Sequence, residues 1–297
     1  MRAPSPYDPR HWPGWLTVGL LSLLARLPRR AGLAAGAGGG LLLYAVLRRR
    51  RRIAAINLAR CFPGKSDAER RALERRLFGN LGRTLIESAW AWSLTDVERL
   101  PPVEIEGFER LVAARSAGRG VLLVTGHFTS LEIGGRLLSE RLRLSGVYRP
   151  FRDPVLEWWQ NCGRGRYTGR MIPKNDFRAA RRALAAGEVL WYAPDQDFGA
   201  GRSRFVPFFG HPAATLKATW TLARAAGAVV LSMAVRRRDD GSYRVTISGP
   251  LKVGGEPEPF LAAVNSELER AIREDPAQYW WVHRRFKTRP PGERDWY

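Results

Sequence analysis

Two uncharged, apolar stretches lie near the N-terminus, and arginines follow each of them. Residues 11–25 form the first stretch, and residues 31–47 form the second, which ends in five consecutive arginines at positions 48–52. Seventeen helical residues approach the hydrocarbon thickness of a bilayer, about 30 Å, although five glycines weaken this run as a helix. The pattern predicts an N-terminal membrane anchor over residues 1–52, as either one embedded hairpin or one tilted span.

The flanks of these stretches predict an orientation. Trp12, Trp15 and Tyr44 lie where interfacial aromatic residues are expected, and the arginines at 48–52 predict that the following domain stays on the cytoplasmic face. A cleaved signal peptide is the alternative, but its basic residues should precede the apolar core, and here the strongest basic cluster follows it. We therefore expect the anchor to be retained.

The rest of the chain alternates between helical and strand patterns. Residues 66–92 have apolar positions at spacings of three and four, with Ser66 or Asp67 as N-cap. Strands are predicted at 120–125, 189–193, 228–235 and 243–248, and further helices at 131–138, 176–186, 212–226 and 257–275. Asp239, Asp240 and Gly241 form a hairpin turn between the last two strands. The alternation predicts an α/β fold, in which a mixed central sheet carries helices on both faces, as a single domain over residues 53–297.

The net charge indicates an anionic partner. The formal net charge is +21, and residues 1–65 contribute twelve Lys or Arg against one acid, Asp8. Such a surface suits nucleic acid, anionic lipid headgroups or an acidic protein, and the total charge does not choose among them. The two cysteines, Cys61 and Cys162, are too few for a disulfide framework and lack the spacing of a zinc site. We expect no metal site.

The candidate chemistry begins with His127 and Glu132 in the segment GHFTSLE. On one continuous helix, five residues turn through about 500°, so the two side chains would point in different directions. They can meet if His127 lies in the turn before the helix, where a carboxylate would fix the imidazole tautomer and leave the other nitrogen as a base. A strand end followed by a turn and a helix start is a typical position for an active site in an α/β sheet.

Six segments carry a resemblance to a known family. GHFTSLEIGGRLL, from Gly126, resembles the His-x-x-x-x-acid motif of the lysophospholipid acyltransferase superfamily, in the form with Glu that the lipid A biosynthesis late acyltransferases (lauroyl and myristoyl transferases) carry. Segments elsewhere resemble the same family in the same order, so that the resemblance covers nearly the whole chain. They are NLARCFPGKSDAERR from Asn57, YRPFRDP from Tyr148, WYAPDQDFG from Trp191, SRFVPFFG from Ser203 and QYWWVHRRFKTRP from Gln278.

The resemblance implies an enzyme of lipopolysaccharide biosynthesis at the cytoplasmic face of the bacterial inner membrane. Its reaction would move a fatty acyl chain from an acyl carrier protein thioester to a hydroxyl of a 3-hydroxyacyl chain on a Kdo-bearing lipid A precursor. Acyl coenzyme A is the alternative donor. By the same resemblance His127 is the catalytic base and Glu132 the acid that orients it. Neither a metal nor an organic cofactor is required.

The resemblance also assigns substrate-binding residues. Arg149 matches an arginine whose planar guanidinium would bind phosphate. Asp195 and Asp197 would shape the acceptor site by accepting hydrogen bonds from a sugar or an arginine, and a turn role suits PDQDFG nearly as well. Arg284 and Arg285 would contact phosphates or lipid headgroups, and a solvated basic tail is the alternative.

One position departs from the family pattern, and two other functions stay open. Ser232 stands where the family usually has a proline, which puts the local shape of the substrate pocket in doubt. His11, His211 and His283 have no acid at a matching spacing and are interpreted as interfacial or structural. The alternatives are an acyltransferase of the same family with another lipid or glycolipid acceptor, and a non-catalytic basic membrane protein that binds anionic lipid or nucleic acid. We expect lipid A precursor, acyl carrier protein and anionic inner-membrane lipids as partners, and no nucleic acid.

Overall fold

The computed structural model of the chain describes residues 3–297, which contain ten α-helices and nine β-strands. The helices are α1 Trp12–Leu24, α2 Arg29–Val46, α3 Arg48–Cys61, α4 Asp67–Ser93, α5 Phe108–Ser116, α6 Leu131–Ser139, α7 Pro154–Arg164, α8 Phe177–Ala185, α9 Ala218–Ala226 and α10 Pro257–Glu274. The strands are β1 Val103–Glu106, β2 Val121–Thr125, β3 Ser145–Tyr148, β4 Met171–Pro173, β5 Val189–Tyr192, β6 Ser203–Phe208, β7 His211–Leu216, β8 Val229–Arg237 and β9 Tyr243–Leu251.

Seven strands form a mixed central sheet in the order β1-β9-β8-β2-β5-β3-β4. Strands β8, β2, β5, β3 and β4 run parallel, whereas β1 and β9 run in the opposite direction. All of β2 is buried, and its residues alternate between the two faces: Leu122 and Val124 pack with α8, α9 and α10, while Val121 and Leu123 pack with α5, α6 and α7. The predicted α/β fold with helices on both faces is confirmed.

Most of the predicted elements are present, and one is partly wrong. Helix α4 starts with a capping box in which Ser66 and Glu69 each bind the other's backbone N–H, as the pattern indicated. The helix predicted over residues 212–226 is a strand in its first third, residues 212–216, because β7 pairs with β6 in an antiparallel hairpin whose turn holds Phe209 and Gly210 at positive φ. Residues 213–216 of β7 are all buried, so this strand lacks the alternation of apolar and polar residues that identifies a strand in a sequence.

The N-terminal helices pack against the domain. Gly36 and Gly40 of α2 face Gly82 of α4, where a Cβ added at Gly40 would lie 2.0 Å from the Phe78 carbonyl oxygen. The two helix backbones therefore approach closely only because these positions are glycine. No single helix within residues 3–297 is both long enough and apolar enough to cross a bilayer. Helices α2 and α3 meet both criteria only when they are taken together, and they are bent by 95° relative to each other. The predicted membrane anchor stays a prediction.

Candidate active site

His127 and Asp195 meet at the carboxyl edge of the sheet. Strand β2 ends at Thr125 and β5 at Tyr192, and these strands are parallel neighbours. The two loops that follow therefore emerge side by side, at the edge where open α/β sheets place their ligands. Residues 68 apart in sequence become partners because of this strand order.

Asp195 holds His127 through two bonds and is itself held by a third. The His127 ring nitrogen Nδ1 lies 2.5 Å from Oδ1 of Asp195, and the His127 backbone N–H donates to Oδ2 at 2.8 Å. The Tyr279 hydroxyl also donates to Oδ2, at 2.8 Å. A carboxylate is an acceptor only, so Nδ1 carries the proton and Nε2 of the neutral ring keeps its lone pair. Among residues 3–297, no group forms a hydrogen bond with this Nε2.

The electrostatics of the pair follow from burial and proximity. Burial alone would lower the pKa of His127, but the charge of Asp195 and its hydrogen bond outweigh this effect and raise the pKa. The carboxyl of Asp195 is buried, yet His127 and Tyr279 hold its pKa well below the ordinary value. The His127 side chain is 30% exposed, whereas that of Asp195 is 2% exposed. Part of the imidazole is therefore accessible from outside, whereas the carboxylate is not.

Glu132, which the sequence predicts as the partner of His127, has other hydrogen-bond partners in the structure. Glu132 lies in the first turn of α6, but its carboxylate accepts from Trp92 Nε1 at 2.6 Å, Arg164 Nε at 2.8 Å and Arg164 Nη2 at 2.5 Å. The Tyr167 hydroxyl is 3.4 Å away. Burial would raise the pKa of Glu132, but Arg164 and these donors hold it below its ordinary value. Glu132 therefore makes its ion pair with Arg164 on α7, and its catalytic role stays a prediction.

His283, which the sequence analysis interpreted as interfacial or structural, lines the same pocket as His127. Its Nε2 accepts the Asp197 backbone N–H at 3.1 Å, so the proton of the neutral ring lies on Nδ1. Burial is the main cause that lowers the pKa of His283 to about 4. An imidazole that stays neutral near pH 7 and has an N–H to donate thus lies beside the His127–Asp195 pair. Spacing from an acid gives no signal for this contact, because the partner of His283 is a backbone amide.

Asp197 and the arginines have identifiable partners. Asp197 accepts from the Gly199 N–H and from both the N–H and hydroxyl of Thr288, which is the turn role that suited PDQDFG. Arg285 is 2% exposed and donates to the Ala214 carbonyl and the Thr215 hydroxyl. These contacts satisfy both side chains within the protein, and their contacts with substrate stay a prediction.

Arg149 and Arg284 lie nearer to solvent. Arg149 is exposed and directly follows β3, which is the parallel neighbour of β5, so it emerges at the same sheet edge as His127 and Asp195. The Arg284 guanidinium lies 5.5 Å from the centre of the Tyr297 ring. Ser232, at the position where a proline was expected, lies on β8 and donates to Glu267 at 3.0 Å.

A small open pocket of about 10 Å³ lies between His127 and His283, with room for one water-sized group. It is lined by Asn57, His127, Asp195, Gln196, Tyr279, Trp280, Trp281, His283 and Arg285. Residues 3–297 contain no group of three or more His, Cys, Asp or Glu side chains arranged to hold a metal ion. The arrangement supplies a base, a carboxylate that orients it and a neutral N–H donor. These are the parts needed to activate a hydroxyl and stabilise an oxyanion.

Comparison with known proteins finds one matching family and several relatives. Residues 2–288 match the family described as bacterial lipid A biosynthesis acyltransferase. The chain is 38% identical to the lipid A biosynthesis lauroyltransferase of Escherichia coli K12, across 96% of this chain and 94% of that protein. It is also 38% identical to the palmitoleoyltransferase of that organism (97% and 95% covered) and 28% identical to its myristoyltransferase (96% and 90% covered).

Proposed function

The chain belongs to the bacterial lipid A biosynthesis acyltransferase family and is an O-acyltransferase of that pathway, and on this premise we propose its donor, acceptor and mechanism. The donor is an acyl carrier protein thioester. The acceptor is a hydroxyl of a 3-hydroxyacyl chain on a Kdo-bearing lipid A precursor. The observation that carries the mechanism is the hydrogen-bonded pair of His127 and Asp195 at the carboxyl edge of the sheet.

His127 is the general base. Asp195 keeps the imidazole proton on Nδ1, so Nε2 can take the proton of the acceptor hydroxyl as its oxygen attacks the thioester carbonyl carbon. The new C–O bond forms as the carbonyl becomes an oxyanion, and collapse of this intermediate breaks the C–S bond. The proton on Nε2 passes to the leaving thiolate, which restores the neutral base.

His283 is the donor to the oxyanion. Its Nε2 is occupied by the Asp197 N–H, and its remaining N–H is on Nδ1, in a ring that lines the same pocket as His127. A neutral imidazole suits this role because it donates a hydrogen bond without adding a second positive charge beside protonated His127. A fixed donor of this kind contributes about 10²–10³-fold to kcat in acyl transfer.

Glu132 has a structural role in this mechanism and takes no part in proton transfer. By binding Trp92 on α4 and Arg164 on α7, it fixes α6, the helix that directly follows the His127 loop. Arg149, exposed at the same sheet edge, binds a phosphate of the acceptor. The net charge of +21 suits both a phosphorylated acceptor and an acidic carrier protein.

Membrane attachment is carried by the N-terminal helices. Four large side chains on α1 are exposed, Trp12 by 55%, Leu16 by 73%, Leu20 by 59% and Leu23 by 61%. They repeat at intervals of three or four residues and so share one face of the helix. The exposed apolar face and the arginines at 48–52 support attachment to the inner membrane, with the acyltransferase domain on the cytoplasmic face.

Mass spectrometry of the lipid product tests the proposal. Purified protein in detergent is incubated with a tetra-acylated precursor, with or without Kdo, and with either acyl carrier protein or coenzyme A thioesters. We expect one acyl mass gain that requires Kdo and the carrier protein and disappears in His127→Ala. A gain of equal rate in folded His127→Ala contradicts the mechanism, and a gain only on a different lipid contradicts the acceptor.

A further inference from the structure

A second cavity lies where the turn between α1 and α2 meets the end of α4. Its volume is about 290 Å³, far larger than the pocket at His127, and the two share no lining residue. Three of its lining residues are the arginines Arg26, Arg29 and Arg99, and the others are Ala25, Leu27, Pro28, Trp90, Leu94 and Pro101. The lining of the cavity thus combines basic and apolar side chains.

The three arginines have no acidic partner within residues 3–297. No carboxylate lines the cavity, and none of the three forms an ion pair with the described residues. Arg29 donates only to the Leu100 carbonyl, at 3.4 Å. Three like charges around one cavity repel one another, and an anion between them offsets this repulsion because it attracts all three. Guanidinium groups match the oxygens of a phosphate particularly well.

An apolar strip leads to this basic cavity. Leu16, Leu20 and Leu23 are exposed along one face of α1, and the strip continues to Leu27, which lines the cavity and is 39% exposed. A ligand that satisfies both features has an anionic head and apolar chains. Nucleic acid satisfies only the first, because a strip of exposed leucines would stay in water.

We propose that this cavity binds the phosphate-bearing headgroup of an anionic membrane lipid, whose acyl chains lie along the leucine strip of α1. The inference depends on the membrane attachment proposed above but not on the acyl-transfer chemistry. Its consequence is that the protein recognises an individual anionic lipid at a built site, in addition to the diffuse attraction between its positive charge and the bilayer.

Vesicle binding at matched net charge tests this proposal. The full-length protein is titrated with phosphatidylcholine vesicles that contain or lack phosphatidylglycerol. The test variant is Arg26→Gln/Arg29→Gln/Arg99→Gln, and the control is Arg115→Gln/Arg141→Gln/Arg178→Gln, which removes three exposed arginines outside the cavity. The two variants have the same net charge, so a difference between them reports the position of the arginines and not the total charge.

We expect the cavity variant to bind phosphatidylglycerol vesicles at least about tenfold more weakly than the control, since the loss of even one charge-assisted hydrogen bond to the phosphate weakens binding by about tenfold or more. Equal weakening in both variants overturns the proposal, as does binding that does not depend on phosphatidylglycerol. Calorimetry with inorganic phosphate and with soluble dihexanoyl phosphatidylglycerol separates the sources, and phosphate binding as tight as the lipid's overturns the lipid assignment. Acyl transfer to a detergent-dispersed acceptor should be unchanged in both variants, so that loss of turnover would be a separate failure.

Discussion

Replacing Asp195 by Asn is the change that should harm the chemistry most while altering the shape least. Asp195 accepts three hydrogen bonds, from the N–H and Nδ1 of His127 and from the Tyr279 hydroxyl. An amide has one acceptor oxygen, and its NH₂ must face one of these donors. If it faces Nδ1, the imidazole proton moves to Nε2 and the base at Nε2 is lost. By analogy with other His–Asp pairs, we expect kcat to fall by about 10³–10⁴-fold, or about 4–5.5 kcal/mol in activation free energy.

Glu132→Gln is the matched control, because it is an equally conservative change to the carboxylate that the sequence pattern favoured. It leaves Arg164 as a buried charge without its ion-pair partner. Breaking one side of a buried pair costs about 3–5 kcal/mol in the free energy of unfolding. We expect a clear loss of stability, and a kcat for the folded protein within about tenfold of wild type, since no proton transfer depends on Glu132.

The assay measures single-turnover rates with a radiolabelled acyl carrier protein thioester, at a temperature where near-ultraviolet circular dichroism shows both variants folded. Thermal unfolding is measured on the same samples. A folded Glu132→Gln protein as inactive as His127→Ala, together with a nearly active Asp195→Asn protein, would refute the assignment of Asp195 and restore Glu132 as the partner of the base.

Three further predictions concern His283 and the packing of α2. His283→Ala should lower kcat by about 10²-fold or more with little change in KM, and His283→Gln should recover about tenfold of this loss, because its amide can both accept the Asp197 N–H and donate; single-turnover rates test both. His283 is protonated near pH 6.5 in the unfolded chain but only near pH 4 in the folded chain. The free energy of unfolding should therefore decrease by about 3 kcal/mol as the pH is lowered from 6.5 to 4, and urea unfolding should show a smaller decrease for His283→Gln. Gly40→Ala brings a Cβ to 2.0 Å from the Phe78 carbonyl oxygen, whereas a Cβ at Gly38 meets nothing within 4 Å; thermal unfolding should show Gly40→Ala destabilised by about 1–3 kcal/mol and Gly38→Ala unchanged or slightly stabilised.

The sequence predicted those helices and strands that have a clear pattern of apolar residues or a capping residue within their own segment. The spacing of apolar residues and the Ser66 cap identify α4, and the run GVLLVT identifies β2. Strands β3 and β4 have four and three residues, too short for an alternating pattern to emerge from the background. The position of His127 in the turn after β2 was predictable because strand, turn and helix follow one another in sequence.

The partner of His127 was not predictable from spacing. Asp195 reaches it only because β5 is the parallel neighbour of β2, and strand order is not written in the local sequence. Glu132, the nearer acid in sequence, is instead drawn to Arg164 across the space between α6 and α7. His283 was missed for the same reason, since a backbone amide 86 residues away fixes its tautomer.

The protonation state of the His127 ring tests most directly the central claim that Asp195 holds this residue as a base. Nitrogen-15 NMR of the imidazole groups is practical because the chain has four histidines, and His127→Ala assigns the signal. We predict that neutral His127 carries its proton on Nδ1, that its pKa is raised by the charge of Asp195, and that Asp195→Asn abolishes both features while Glu132→Gln leaves both unchanged. A neutral ring protonated on Nε2 in the wild-type protein, or a signal that responds to Glu132→Gln and not to Asp195→Asn, would contradict the claim.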